Sequence, residues 1–160
     1  DVAVLLVGAG LMAADSARFR QQLAAAGLSE AVIDAGWVEL AALPATLAAA
    51  DVGLYLMDDT LLNRAKCPVK LADMLAAGVP VVAEAVGQTA EYVRDGQTGA
   101  LCASGDVAGV VAATVALLRE RGSKGAEEQG GWGDAARRDV WARFGWDVLA
   151  TDVEKLYARL

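Results

Sequence analysis

Apolar runs that end near glycine and give way to helical stretches recur along this chain, and that alternation constrains its fold more than any other feature. Val2–Val7 (VAVLLV) is continuously apolar and stops at Gly8. That is the pattern of a strand buried on both faces rather than one alternating between core and water. Further strand runs are Ala31–Ala35, Val52–Met57, Pro80–Ala83 and Gly99–Ala103. Helical signals fill the intervals. Ser16–Ala26 has Asp15 or Ser16 as cap and Gly27 as stop, and Leu40–Ala50 is alanine-rich and broken early by Pro44. Val69–Ala77 starts with Pro68 at its first position and closes at Gly78, Thr89–Arg94 is short, and Asp106 caps a helix reaching about Arg121. Asp58–Lys66 reads as a polar loop, and Asp134–Phe144 and Trp146–Leu160 as terminal helices. Arg121–Gly133, with five glycines, is the one flexible stretch. Parallel strands need crossovers, so this order implies an α/β chain: a doubly wound, Rossmann-like parallel sheet flanked by helices. Ligands of such sheets bind at the strands' carboxyl ends.

Composition narrows the chemistry. The 160 residues, 56% of them hydrophobic, suit a single domain spanning 1–160 with 134–160 as its closing helices, and exclude a disordered chain. With 35 alanines, the core is expected to be built of small-residue layers. A net charge of −7 argues against nucleic acid or an anionic membrane surface as partner. There is no histidine, which removes Ser-His-Asp and Cys-His catalysis and His-ligated metal sites. Cys67 and Cys102 form no CxxC and read as reduced packing residues of a cytoplasmic protein. The longest apolar run, Val107–Leu118, is interrupted by Gly109 and falls well short of the ~20 residues of a membrane span. The first residue is Asp1, directly before a strand, which reads as a piece of something longer.

Two segments carry candidate chemistry. Gly8-Ala-Gly10-Leu-Met-Ala13 is a GxGxxA after a strand, and Asp34 lies near the end of the next one. In a dinucleotide-binding domain such glycines admit a pyrophosphate to a helix N-terminus and the acid holds a ribose. The same pattern also makes an ordinary tight turn, and the spacing to Asp34 is long for the motif. In Asn63-Arg-Ala-Lys-Cys-Pro-Val-Lys-Leu-Ala-Asp73, Lys66 and Lys70 flank a helix start that already carries partial positive charge. Cations there are unfavourable unless an anion is bound, and a diphosphate would reverse that sign. Asp73 falls on the same helical face as Val69 and Lys70, one turn in, where a carboxylate can accept from a ribose diol. A plain helix start with a Lys70–Asp73 surface pair explains the same residues.

From Lys66 onward, KCPVKLADMLAAGVPVVAEAVGQTAEYVRDGQTGALC resembles the donor-binding half of family-four (group 1) glycosyltransferases of the GT-B fold. Those proteins carry a helical glutamate, then Gly-x-Pro-Val-Val, Gly-x-x-x-Glu and Asp-Gly-x-x-Gly. Here these positions are Asp73, Gly78 with Pro80-Val81-Val82, Gly87 to Glu91, and Asp95-Gly96 with Gly99. LLVGAG at Leu5–Gly10, the Gly36-Trp37-Val38 turn, Ala50-Asp51-Val52 and Phe144-Gly-Trp146 fall where that family has its strand ends and closing helix.

The resemblance implies a metal-independent, retaining transfer of sugar from a nucleotide diphosphate donor, with no cofactor. It implies that Asp73 binds the ribose, that N–H groups around Val69 and Lys70, with Lys66 beside them, meet the diphosphate, and that backbone near Gly36, Trp37 and Val38 contacts the base. Gly87 to Glu91 would lie under the sugar and phosphates. The family's first glutamate, eight positions before the second, falls at Ala65, where this chain has no carboxylate. Asp58 or Asp59 is the substitute candidate, or else a solvated loop acid. The family's phosphate-clamping Arg and Lys, with the strand that bears the Arg, would precede Asp1, leaving half a GT-B fold without its first strand and a gap in the sheet between Val2–Val7 and Val52–Met57. The acceptor-binding, N-terminal domain would also lie outside these residues, and the piece alone is expected to be inactive. Alternatives are a non-catalytic binding or interaction domain, a GT-B sugar-nucleotide epimerase and a nicotinamide-binding domain.

Overall fold

The computed structural model describes residues 2–8, 13–123 and 131–159. Its described part forms two compact units, one up to Pro44 and one from Ala45 onward. In the first, β1 (Val4–Leu6) is followed by α1 (Ala13–Ala25), a single 3-10 turn (Ser29–Ala31) and β2 (Val32–Asp34). The two strands are parallel, with Val4 opposite Val32 and Leu6 opposite Asp34. Both are shorter than their apolar runs, and β1 is not buried on both faces: Val2 and Val4 are exposed. A run is buried on both sides only where both are covered, and β1 has β2 as its one hydrogen-bonded neighbour among the described residues. The helix begins at Ala13, so Asp15 lies in its first turn rather than capping it. Carboxylates there complement the helix dipole.

After α2 (Leu43–Ala48), the second unit runs β3 (Gly53–Tyr55), α3 (Leu61–Arg64), α4 (Val69–Ala76), β4 (Val81–Glu84), α5 (Thr89–Tyr92), β5 (Gly99–Cys102), α6 (Val107–Ser123), α7 (Trp132–Phe144) and α8 (Trp146–Tyr157). Its sheet is parallel in the order β3-β4-β5. All four residues of β4 are buried, and the strand runs one residue past the PVVA run to include Glu84. The period of two sends alternate side chains to opposite faces. Val81 and Ala83 pack with Leu71 and Leu75 of α4 and Ala136 and Val140 of α7, while Val82 packs with Val110 and Leu117 of α6. The result is three layers, helix on sheet on helix.

Glycine permits two close approaches. A Cβ on Gly99 would lie 2.1 Å from Val81 O, and one on Gly133 would lie 2.2 Å from Gly78 O. Through Gly133, α7 settles on the turn after α4, where Arg137 donates to the last carbonyls, Ala76 O (3.3 Å) and Ala77 O (2.9 Å). Such capping satisfies carbonyls that the helix leaves without partners. This docking also starts α7 at Trp132, two residues before the expected Asp134, with Gly131 as its N-cap. Asp106 caps α6 as expected, accepting from Gly109 N–H at 2.9 Å.

Asp58–Lys66 is not all loop. Thr60 caps α3, its hydroxyl accepting from Asn63 N–H at 3.2 Å. A helix of four residues is too short for periodicity to reveal. The glycine-rich stretch is helical to Ser123, and residues 124–130 of it lie outside the described residues. Among the described residues no helix is long and apolar enough to cross a membrane.

Candidate functional site

Chain direction puts the carboxyl ends of β3, β4 and β5 on one side of the second unit, and the loops leaving them carry most of the expected site. The approach to α4 comes first. Pro68 is not the first helical residue: it is the buried residue before it, with φ −84° and ψ 60°. That is the geometry of an inverse γ-turn, and Val69 N–H accordingly donates to Cys67 O at 3.0 Å. Val69 is therefore spent as an amide donor, contrary to expectation. The first bond of the helix ladder runs from Ala72 N–H to Pro68 O at 3.1 Å. Lys70 and Leu71 N–H have no backbone acceptor among the described residues. The open donors of this terminus are thus those of Lys70 and Leu71, one place further in.

Two cations flank them. Lys66 Nζ donates to Asn63 Oδ1 at 2.8 Å, whereas Lys70 has no side-chain partner among the described residues. Asp73 is equally unpaired, so the Lys70–Asp73 surface pair does not form. The Asp73 side chain reaches solvent, yet neighbouring atoms crowd it enough to push its carboxyl above the usual range by desolvation. An acceptor without a donor, one turn inside a helix start with open amides, is the feature that the residues alone left undecided.

The loop after β4 closes on the same region. Gly87 has φ +55°, and a Cβ on it would lie 2.6 Å from Arg64 O. The turn thus lies directly on the end of α3, just ahead of Lys66. Beyond it α5 packs beside α4, and Tyr92 OH lies 3.8 Å from Cys67 Sγ. Cys67 is exposed, not a packing residue, and both cysteines are free. Glu91 is exposed on α5. The Glu91 and Tyr92 carbonyls accept from Arg143, which also pairs with Asp139. Arg94 pairs with the same Asp139 at 2.6 Å, tying α5 to α7.

Two substitutes for the absent carboxylate separate. Ala65 ends α3, its N–H donating to Leu61 O at 3.2 Å. Asp59 is held by Arg64 through bonds of 2.5 and 2.7 Å, which keep its carboxyl below the usual range. Asp58 is exposed and its carboxylate is unpaired among the described residues. One carboxylate escaped the sequence reading altogether. Glu84, at the end of β4 and 9% exposed, accepts from Met57 N–H and from Gly105 N–H, both at 2.6 Å. The PVVA run reads as ending at Ala83, and both partners are distant in sequence.

Gly36, Trp37 and Val38 belong to the first unit. Gly36 has φ +59°, donates to Asp34 Oδ1 at 3.0 Å and accepts from Gly8 N–H at 2.8 Å, while Trp37 is 78% exposed. Asp34 is thus engaged in holding its own turn, and Arg20 lies 3.8 Å away. Residues 9–12 of the GxGxxA segment lie outside the described residues. A cavity of about 470 Å³ in this unit is walled by Leu6, Phe19, Leu23 and Val32, with Gly36 at its lining.

A family model for glycosyl transferases group 1 matches residues 1–120. The phosphatidyl-myo-inositol mannosyltransferase of Mycobacterium leprae is 32% identical over 157 residues, which is 98% of this chain and 38% of that protein. The N-acetyl-alpha-D-glucosaminyl L-malate synthase of Bacillus anthracis is 31% identical over 87 residues, 54% of this chain and 22% of that protein. Among solved structures, Anabaena Alr3699/HepE in complex with UDP superposes with a TM-score of 0.75 at 21% identity, covering 99% of this chain and 41% of that one. Its complex with UDP-glucose does so at 20% identity with the same score and coverage. Sucrose-phosphate synthase from Thermosynechococcus elongatus gives 0.71 at 23% identity, over 97% of this chain and 37% of that one. The fold is therefore that of a GT-B domain, and the chain spans less than half of each of these relatives.

Proposed function

Because the chain belongs to the group 1 glycosyl transferases, we propose that it is the nucleotide-sugar-binding part of a retaining enzyme that moves a sugar from a nucleotide diphosphate donor to an acceptor held by another domain. The observation that carries this reading is the start of α4: open amides at Lys70 and Leu71, two lysines beside them, and an unpaired Asp73 one turn in. Amides and helix dipole favour a dianionic group there, and lysines that are unfavourable in the empty site become favourable once it is filled. In this reading Asp73 accepts from the ribose, Lys66 and Lys70 neutralise the diphosphate without a metal ion, and Gly87 to Glu91 lie under the sugar and phosphates. HepE, a structural neighbour, is solved with UDP and with UDP-glucose, which supports this donor class. A cytoplasmic setting belongs to the same reading, supported by the free thiols of Cys67 and Cys102.

Thermal unfolding of the full-length protein with UDP-, GDP- and ADP-sugars, and separately with NAD, tests the proposal. A ligand at 100 times its Kd stabilises by about 2.7 kcal/mol. Stabilisation by at least one nucleotide sugar is expected; stabilisation by NAD alone overturns the reading in favour of the GxGxxA segment.

Ala65 and the engaged Asp59 favour a second reading, a domain that binds donor without transferring it. Turnover by the full-length protein with acceptor separates the two. Residues 1–160 expressed alone are expected to show no transfer, since loss of one preorganised donor at such a site costs about 100–1,000-fold. Turnover by that segment comparable with the full-length enzyme refutes the domain assignment.

A further inference from the structure

We infer, on the premise that the start of α4 takes a diphosphate, that Asn63 and Glu84 are positioning residues that aim the Lys66 ammonium at it. Hydrogen bonds at both ends of the Met57–Asp58 backbone join the buried carboxylate to the exposed ammonium. Glu84 Oε2 accepts from Met57 N–H at 2.6 Å, and Met57 O accepts from Ser104 Oγ at 3.3 Å, so the residue leaving β3 is held through both its backbone groups. The next carbonyl, Asp58 O, accepts from Asn63 Nδ2 at 2.9 Å and from Thr60 N–H at 2.9 Å. Asn63 N–H donates to Thr60 Oγ1 at 3.2 Å, which fixes Asn63 at the head of α3. Its remaining group, Oδ1, accepts from Lys66 Nζ at 2.8 Å.

Each link has a chemical reason. A free lysine carries substantial rotamer entropy, part of which a ligand must remove before the ammonium can serve it. Holding the ammonium beforehand lowers that cost. An asparagine can do this while bound to Asp58 O because its two ends are opposite in kind: the amide donates backwards and the carbonyl accepts forwards. Glu84 anchors the Met57 end for the complementary reason. Its second oxygen accepts from Gly105 N–H at 2.6 Å, so both ends of the group are acceptors. A glutamine there presents one acceptor and one donor, and leaves one of the two N–H groups facing another N–H. A buried carboxylate with no cation paired to it among the described residues is expensive. Fixing the loop to Lys66 is the return on that expense.

The test compares wild type, Asn63→Ala, Glu84→Gln and Lys66→Ala in the full-length protein. Calorimetry measures affinity for inorganic pyrophosphate, for the nucleoside diphosphate that wild type binds, and for the corresponding nucleoside. Asn63→Ala and Glu84→Gln are each expected to weaken both diphosphate ligands by about tenfold, equivalent to 1.4 kcal/mol, and to leave the nucleoside unchanged. Asn63→Ala combined with Lys66→Ala should lose no more than Lys66→Ala alone, because residues acting through one group are not additive. Equal losses for nucleoside and diphosphate, unchanged diphosphate affinity, or additive losses in the double variant overturn the inference. Should Glu84→Gln fail to fold, Asn63→Ala at the protein surface carries the test. Wild-type protein that binds neither pyrophosphate nor any nucleoside diphosphate overturns the proposed function and this inference together. Wild-type binding with indifferent variants overturns the inference alone.

Discussion

Replacing Asp73 with alanine should move affinity and stability in different directions. With donor bound, the carboxylate accepts from a ribose hydroxyl, and hydrogen bonds to charged groups contribute about 1.5–3 kcal/mol. Donor affinity should therefore fall by roughly ten- to 150-fold, at 1.4 kcal/mol per decade. Without donor, Asp73 has no partner among the described residues to lose. Its crowded carboxyl is held above the unperturbed value of 3.8. A native state that holds its proton more tightly than the unfolded chain loses stability as pH rises from about that value through the raised one, and stays at the lower level beyond. At neutral pH Asp73 is thus a small liability, softened by solvent because the side chain is exposed. Alanine removes the liability and adds up to about 0.7 kcal/mol of helix propensity at every pH. Urea unfolding without ligand at neutral pH and below pH 3.8 separates the two contributions, and calorimetry with donor supplies the affinity. The variant should match or exceed wild type in stability, by a margin that narrows in acid, while binding donor poorly. A variant that loses stability and affinity together would make Asp73 a structural residue, and unchanged affinity would remove it from the site.

The other expectations concern the scaffold and the charges. Leu75→Ala, at a position 1% exposed between α4 and β4, should cost about 2–5 kcal/mol, read as a lower urea midpoint at unchanged slope. Gly133→Ala forces a Cβ to within 2.2 Å of Gly78 O, and should cost about 1–3 kcal/mol and lower Tm by undocking α7; an unchanged Tm would mean that α7 is not seated there. Lys70→Ala should leave the ligand-free protein unchanged or more stable by about 0.3–1 kcal/mol, because a cation leaves a helix N-terminus, yet weaken pyrophosphate binding. Equal losses in both measurements would contradict the anion site.

Much of the second unit is readable in the residues. Continuous apolarity at Val81–Ala83 implies a strand covered on both sides, and β4 is one. Gly78, with φ +79°, stops α4 where the helical pattern ends. Asp106 caps α6 from its position before an apolar run. The candidate site is readable to the same depth: two lysines, a proline and an aspartate near one helix start are a local arrangement. The same rule misjudges β1, because Val2–Val7 has the apolarity of a doubly covered strand but not the coverage.

What the sequence determines by itself is therefore what depends on neighbours within a turn or two: element type, helix stops and which residues share a helical face. Tertiary structure decides what each polar group meets. Val69 N–H is consumed by the inverse γ-turn at Pro68, a choice of ψ that a proline ring leaves open because it fixes φ alone. Glu84 finds its amides 27 residues upstream and 21 downstream, brought together because parallel strands deliver their carboxyl ends to one side of the sheet. Asp59 is taken by Arg64 while Asp58 is left unpaired, although the two acids are adjacent and alike in sequence. Hydrogen bonds form between groups that packing brings within about 3 Å, and no pattern along the chain encodes that distance.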